Sequence, residues 1–582
     1  MNTDMRLKSF YEIPAGSLGE EWNRLVWTMD SPQVFYTHEW ALAVSRAYAN
    51  PRPLLFTAYR GESLVGVAAL ALDERRKEAS FLCTSTADYC DFVSAPSDRE
   101  ELISRVLREL RERDIKTFRF ANLPADSAST NVLRAAAKSA GFSALQTPAY
   151  FCARISLDSP EQRLQIAQSA RRSLKKARKM AARAGGVAIA HRKTWQEFVT
   201  EADDYATASV ARMLTTGRAS NLLYGERRVF MAELAKLLSA RGWLTFSTLG
   251  IEGRTVAWHF GFQFAGTWFY YAPTFDADLL QLHPRPGAHL LREILQAAAS
   301  DPETRTVDLG LGDESYKRPY SSNGRHTVDI VASQSRLRIL KERARYQVAQ
   351  TIKRSPSLEN RTRSLVSKIS AIHGTLAPLG MVRSAKLLCA SAWRHVSRTE
   401  EFFFLEADRA KIENAPATSA KPLTLKFLAK AAMKNPADCE TLKYVQRSAN
   451  RLQQARHLGF VLADKQDAPV HICWVAPFEG FRLPGMKHGL KEPSPDSVML
   501  FDPWTCHQPG RNAEFSAMIA WQLYKIGKRP WICAGGSQVE SLEAEGFVCR
   551  FSLARKNKLS LKNSSLVELA NATRQVELGP AA

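Results

Sequence analysis

The run VDLGLGDESYKRPY at residues 307–320 sets carboxylates, a tyrosine and a lysine behind an apolar start rich in strand formers. Asp313 or Glu314 can accept a proton from an amine, Tyr316 can give one to a departing group, and Lys317 can hold a phosphate or a carbonyl oxygen. Asp308 belongs to the same cluster. The run lies at and beyond a predicted strand end, where an open α/β sheet exposes its ligand site. Its glycines are not followed by GK[ST], so a nucleotide phosphate loop is excluded.

One helix upstream, Pro286, Gly287, Ala288 and His289 precede LLREIL, with Arg285 just before them. A helix start offers backbone N–H groups and a positive dipole end to a phosphate, provided a small residue lets the phosphate approach. Residues 508–513, QPGRNA, repeat the pattern with Gly510 and Arg511. His259 in VAWHFGF and His471 in VHICWV have apolar neighbours and rank second as bases, since a hydrogen-bonded core imidazole is the commoner outcome. Tyr270 and Tyr271 are adjacent on one strand, so at most one faces a cleft. Asp502, Trp504 and His507 are the candidates nearest the C-terminus. No His/Cys cluster has metal-ligand spacing and no GxSxG elbow occurs, so no metal is expected and a metal hydrolase reading falls away.

The elements that must position these groups recur. LLFTAYRGESLVGVAALAL reads as a hairpin turning at residues 60–63, FLCTSTADYC as a strand, ELISRVLRELRERD as a helix, KTFRFANL as a strand and NVLRAAAKSAGF as a helix, followed by β-like residues 151–157. WLTFSTLGIEGRTVAWHFGFQFAGTWFYYAPTF supplies three more strands with a turn at Glu252 and Gly253, then GAHLLREILQAAAS a helix and TRTVDLGLG a strand. A third pass of the same plan runs from FVLADKQDAPVHICWVAPFEGF to VCRFSLAR.

Two basic segments separate the passes. In the first, Ser159 is the N-cap, Pro160 the first helical residue and Gln162 the closing member of a capping box; Arg171 and Lys175 lie among its cations. The second, residues 336–399, holds 14 Lys/Arg against 2 Asp/Glu. There Leu337, Leu340, Ala344 and Val348 form an apolar stripe beside Arg336, Arg343, Arg345 and Lys353, suiting either an anionic membrane surface or a plain basic linker. The whole chain carries 80 Lys/Arg against 58 Asp/Glu, a net charge of +22, which favours anionic partners. Nine cysteines without a CxxC pair suggest reduced thiols and a cytoplasmic protein. No stretch of about 18 apolar residues predicts a membrane span.

The segments PWTCHQPGRNAEFSAMIAWQLYKIGKRPWICAGG and SQVESLEAEGF are similar to the acyl-CoA fold of GNAT-type acyltransferases. RRSLKKARKMAARAGG, WLTFSTLGIEGRTVAWHFGF, PRPGAHLLREIL and VDLGLGDESYK resemble the CelD-like and FemAB-like branch, associated with bacterial exopolysaccharide and cell-envelope synthesis. The resemblance implies an α/β (α+β) fold class: tandem GNAT-like folds with mixed central sheets flanked by helices. It divides the chain into a degenerate GNAT-like module at 1–158, a connecting helix at 159–185, the CelD/FemAB-like acyltransferase module at 186–335, a helical linker at 336–399 and a C-terminal GNAT-like module at 400–582. Leu542 stands where many GNAT enzymes carry a tyrosine acid, which argues against independent catalysis by the last module.

On that resemblance, acetyl-CoA or another acyl-CoA is the co-substrate. Arg285, Pro286, Gly287, Ala288 and His289 would hold it, with Gly510 and Arg511 in the corresponding place of the last module. Asp313, Glu314, Tyr316, Lys317 and His259 are the catalytic candidates, and Tyr270, Tyr271, Asp308, Arg171 and Lys175 the substrate-binding ones. The expected acceptor is a sugar or lipid-linked intermediate, handled at the inner face of the membrane. Two other readings stay open: aminoacyl transfer from charged tRNA, and a non-catalytic scaffold docked on an anionic membrane.

Overall fold

The computed structural model describes residues 4–182, 186–280, 285–312, 314, 316–320, 323–353, 399–413, 420–454, 457–483, 489–506, 511–556 and 565–567. Two compact units divide the chain, one of residues 1–209 and 224–360, the other of residues 210–223 and 361–582. Both are mixed α/β, sheets with parallel and antiparallel pairs flanked by helices.

The first unit contains β1 (Arg6–Phe10), β2 (Arg52–Arg60), β3 (Ser63–Asp73), β4 (Glu78–Phe81), β5 (Val93–Ser94), β6 (Thr117–Pro124), β7 (Ser143–Ser156), β8 (Val187–Arg192), β9 (Leu244–Ile251), β10 (Arg254–Phe264), β11 (Thr267–Phe275), β12 (Thr306–Leu311) and β13 (Asn323–Ser333). They form one sheet in the order β1-β2-β3-β4-β6-β13-β7-β12-β11-β10-β9-β8, with β5 on β3. The two halves therefore do not close separately. The strand beside β6 is β13, from the end of the second half, and the strand beside β12 is β7, from the end of the first.

Local chemistry accounts for most of these elements. Glu252 and Gly253 turn β9 into β10 with positive φ at both residues, as a two-residue hairpin loop requires, and Ala265 and Gly266 do the same for β10 and β11. The capping box forms as the sequence predicts: Gln162 N–H donates to Ser159 Oγ at 3.2 Å, and Ser159 N–H to Gln162 Oε1 at 3.3 Å. That helix, Pro160–Ala182, packs on helix Pro286–Ser300, whose last turn it ties down: Arg163 donates to the Asp301 carbonyl at 2.7 Å and to the Thr304 carbonyl at 2.6 Å. Helix Pro286–Ser300 buries Leu290, Leu291, Ile294, Leu295 and Ala298 against Trp268, Val307 and Leu309 of the sheet.

One element departs from expectation. FLCTSTADYC is a strand only up to Phe81; the rest is a chain of turns. Thr84 Oγ1 donates to the Phe81 carbonyl at 2.9 Å and Thr86 Oγ1 to the Cys83 carbonyl at 3.1 Å. Such hydroxyl-to-backbone bonds compete with a sheet ladder, and here they win despite the β-rich composition.

The second unit has β14 (Thr399–Ala407), β15 (Lys421–Pro422), β16 (Leu458–Ala463), β17 (Pro469–Pro477), β18 (Ser497–Thr505), β19 (Arg529–Gly535), β20 (Phe547–Lys556) and β21 (Ser565–Val567), in the order β15-β16-β17-β18-β19-β14-β20-β21. The parallel pairs β4 with β6, β11 with β12 and β18 with β19 occupy corresponding places, each joined through one α-helix. In each, the pairing covers only three or four residues before the strands part.

Candidate active site at a carboxyl pair

Strands β11 and β12 pair through Thr267 with Thr306, Trp268 with Val307 and Phe269 with Asp308. Beyond Asp308 they separate, and the gap lies at their carboxyl ends, where parallel strands present ligand sites. The turns after β4 enter this gap from the first half of the unit. The Thr86 carbonyl accepts a hydrogen bond from Tyr271 of β11. Tyr89 donates to Asp308 Oδ2 of β12 at 2.9 Å. Asp88 lies against Gly310, whose φ of +71° and missing side chain leave the space: a Cβ there would sit 2.6 Å from Asp88 Oδ2.

Half-buried Asp88 and buried Asp308 form an acidic pair. Asp308 is 2% exposed and accepts the Gly310 N–H at 2.9 Å, while Arg154 Nε lies 3.6 Å from its Oδ2. Burial raises its pKa in spite of Arg154, the Gly310 amide and Tyr89. Asp88 is pushed up to about 7, first by burial and then by the Asp308 charge, with Lys317 and the Leu311 N–H pulling the other way. A carboxyl poised near neutrality suits a general base for an amine or hydroxyl. Tyr271, held by Arg227 at 2.7 Å, is pushed by burial to about 12, and so remains a hydrogen-bond donor near neutral pH.

The run at 307–320 is split in role. Lys317, 3% exposed, donates to the Leu311 carbonyl at 2.7 Å, reaches the Gly310 and Gly312 carbonyls at 3.5 and 3.4 Å, and pairs with Glu314 at 2.7 Å. Its ammonium is thus spent on the turn carrying Gly310, which makes it a strut rather than a free hand for a substrate oxygen. Glu314 is exposed and folds over Gly312; Tyr316 is 41% exposed. Asp313 lies outside the described residues.

His259 corrects the sequence expectation of a base. It is fully buried, stacked at 4.4 Å on Tyr270, and burial lowers its pKa to about 3. Tyr270 accordingly points into the core and only Tyr271 reaches the gap, as strand alternation requires. Asp88 and Tyr89 were not among the sequence candidates.

The helix expected to cradle a phosphate does begin at Pro286, placing the Gly287 and Ala288 amides in its first turn. Gly287 faces Phe275, and a Cβ there would stand 3.2 Å from that ring, so a larger residue would fill the approach. Arg285 is exposed beside it. His289 does not face the opening: it is buried and lies 3.2 Å from Glu293. In the first half the matching helix, Arg99–Glu112, has buried Arg99 at its start, its guanidinium committed to Ser94 Oγ at 2.8 Å and Ser129 Oγ at 2.9 Å. Arg171 and Lys175 are exposed on helix Pro160–Ala182.

The second unit has its own cleft of about 800 Å³ where β18 and β19 part, lined by Phe402, Phe481, Phe501, Cys533 and Arg451 among others. Asp502, at φ 52°, accepts Arg447 at 2.7 Å and Arg451 at 2.9 Å. Trp504 donates to Thr441 at 3.1 Å. Buried His471 is lowered to about 3 by desolvation. Arg511 pairs with Glu514 at 2.6 Å, and Gly510 and His507 lie outside the described residues.

Residues 168–318 match the family model described as an acetyltransferase (GNAT) domain. A GNAT acetyltransferase domain is thus matched within residues 168–318, a minority of the chain. Solved structures that align with it include FemX, at 9% identity over 55% of this chain and 96% of that one, TM-score 0.39. The C-terminal domain of a protein assigned as a lysylphosphatidylglycerol synthetase from Agrobacterium fabrum aligns at 13% identity over 57% and 95%, TM-score 0.38. A tandem GNAT protein from the clavulanic acid biosynthesis pathway aligns at 13% identity over 57% and 99%, TM-score 0.35. No curated protein sequence matches the chain.

Proposed function

We propose that the chain is an acyl-CoA-dependent N- or O-acyltransferase, acetyl being the simplest donor group, acting on a sugar or lipid-linked intermediate of bacterial exopolysaccharide or cell-envelope synthesis. The observation that carries this reading is the Asp88 and Asp308 pair at the gap between β11 and β12: Asp308 lies within the matched residues 168–318, one helix from Gly287, and Asp88 reaches it from the first half of the unit.

The donor supplies a thioester carbonyl. Asp88, whose pKa near 7 leaves it part ionised at physiological pH, takes the proton of the attacking nitrogen or oxygen as the new C–N or C–O bond forms; the C–S bond then breaks, and the thiolate leaves as thiol with a proton from Asp88 or solvent. Asp308 keeps Asp88 basic through charge repulsion and is itself held by Tyr89 and the Gly310 amide. Lys317 fixes the Gly310 turn on which this spacing depends. The Gly287 and Ala288 amides, with Arg285, would hold the donor's phosphates. Arg99 is committed to Ser94 and Ser129 at the matching place in the first half, which leaves that half as the supplier of Asp88 and the acceptor wall.

Thiol release from acetyl-CoA, followed over a panel of amino sugars and nucleotide-linked sugars, tests the reading. Acceptor-dependent release is expected. Aminoacyl transfer from charged tRNA is the rival, supported by the exposed Arg171 and Lys175; transfer from charged tRNA with none from any acyl-CoA would establish it instead.

A further inference from the structure

Helix Arg336–Lys353 is turned the opposite way from an ordinary surface helix. A surface helix buries its apolar stripe and shows its charges to water. Here the side facing the sheet carries Ile339, 7% exposed, and two charged anchors: Arg338 donates to Glu78 of β4, and Glu342 accepts from Arg119 of β6. The apolar stripe faces outward. Leu337 is 78% exposed, Leu340 57% and Val348 58%, and Ala344 between them is exposed as well. At about 100° per residue these four positions fall on one line along the helix.

Exposed cations flank the line on both sides, Lys341 and Arg345 on one and Arg336 and Arg343 on the other. The helix has a single acid, Glu342, and it is turned in toward Arg119. A cationic and apolar face with no exposed acid complements a surface that is anionic at its outside and apolar just beneath. A nucleic acid would use the cations and leave the leucines in water. A protein groove would use the leucines without requiring one sign of charge on both flanks.

We propose that this helix is an interfacial docking element that lies flat on an anionic phospholipid bilayer, with Leu337, Leu340 and Val348 inserted between headgroups and the flanking cations on lipid phosphates. This is independent of the acyl-transfer reading, since none of these residues lines the gap between β11 and β12. It gives the protein a way to reach an acceptor held in a membrane.

Co-sedimentation of the full chain with vesicles of phosphatidylcholine alone, or with phosphatidylglycerol added, tests it. Binding to the anionic vesicles only, weakening as salt rises, is expected. Leu337→Gln with Val348→Gln should lower affinity by roughly tenfold or more. Leu337→Met with Val348→Met should retain it. Lys341→Gln with Arg345→Gln should weaken binding several-fold and flatten its salt dependence. All four positions are exposed, so melting temperatures should match the parent. An unchanged affinity in the Gln pair would overturn the proposal, because the basic sequence after residue 353 would then bind by charge alone. Equal binding to neutral vesicles, or binding to RNA without binding to vesicles, would overturn it too.

Discussion

Replacing Asp88 by Asn separates two roles of one carboxyl. Asp88 has an ordinary value of 3.8 and is raised to about 7 in the fold. An acid whose folded pKa is raised holds its proton more tightly when folded, so the folded state loses stability as pH climbs from about 4 to about 7. At about 1.4 kcal/mol per unit, three units would cost up to about 4 kcal/mol; partial exposure of Asp88 brings the estimate to about 2–4 kcal/mol. The neutral amide carries no such penalty. Asp88→Asn is therefore expected to be more resistant to urea than the parent at pH 8, with the difference shrinking toward zero near pH 4. The same variant should lose about 10²- to 10⁴-fold in kcat/KM, and the parent's rise in kcat/KM through pH 7 should vanish. Urea titrations at three pH values and thiol-release kinetics measure both. A variant that keeps its activity, or a stability difference that does not widen with pH, would refute the reasoning.

Lys317→Ala should leave the Gly310, Leu311 and Gly312 carbonyls without their cation, lowering stability by about 2–4 kcal/mol in denaturation and activity by at least about tenfold. Gly310→Ala places a methyl where Asp88 sits and forces φ of +71° on a residue with a side chain; about 1–3 kcal/mol of stability and most activity should be lost, read from melting and thiol release. His259→Leu removes a neutral, desolvated ring and should leave kcat and its pH profile unchanged, whereas a catalytic imidazole would cost at least about a hundredfold.

The hairpins, the helix Pro286–Ser300 and the capping box at Ser159 were legible because each is fixed by residues close in sequence: turn glycines, a proline at a helix start, a Ser and Gln three apart. Tyr271 over Tyr270 was half legible, since alternation says that one faces the gap but not which. Of the carboxyl pair, Asp308 was named from the sequence and Asp88 was not. Asp88 and Gly310 are brought together by the exchange of β7 and β13 between halves, and strand neighbours of that kind leave no local period. The segment around Asp88 also reads as a strand by composition, and only its threonine-to-carbonyl bonds turn it into the loop that reaches β12. Lys317 stands out in the sequence, but its bonds to the Gly310, Leu311 and Gly312 carbonyls leave no side-chain signature there. The outward stripe at Leu337, Leu340 and Val348 was visible as a pattern, while its orientation came from Glu342 binding Arg119.

Calorimetric titration of acetyl-CoA into the full chain, and into Gly287→Val, tests the central claim most directly. The account predicts saturable binding by the parent, and affinity weakened by roughly tenfold or more in the variant with its circular dichroism unchanged, because the added side chain fills the approach beside Phe275. Absence of binding by acyl-CoA of any chain length, or equal binding by the variant, would contradict it.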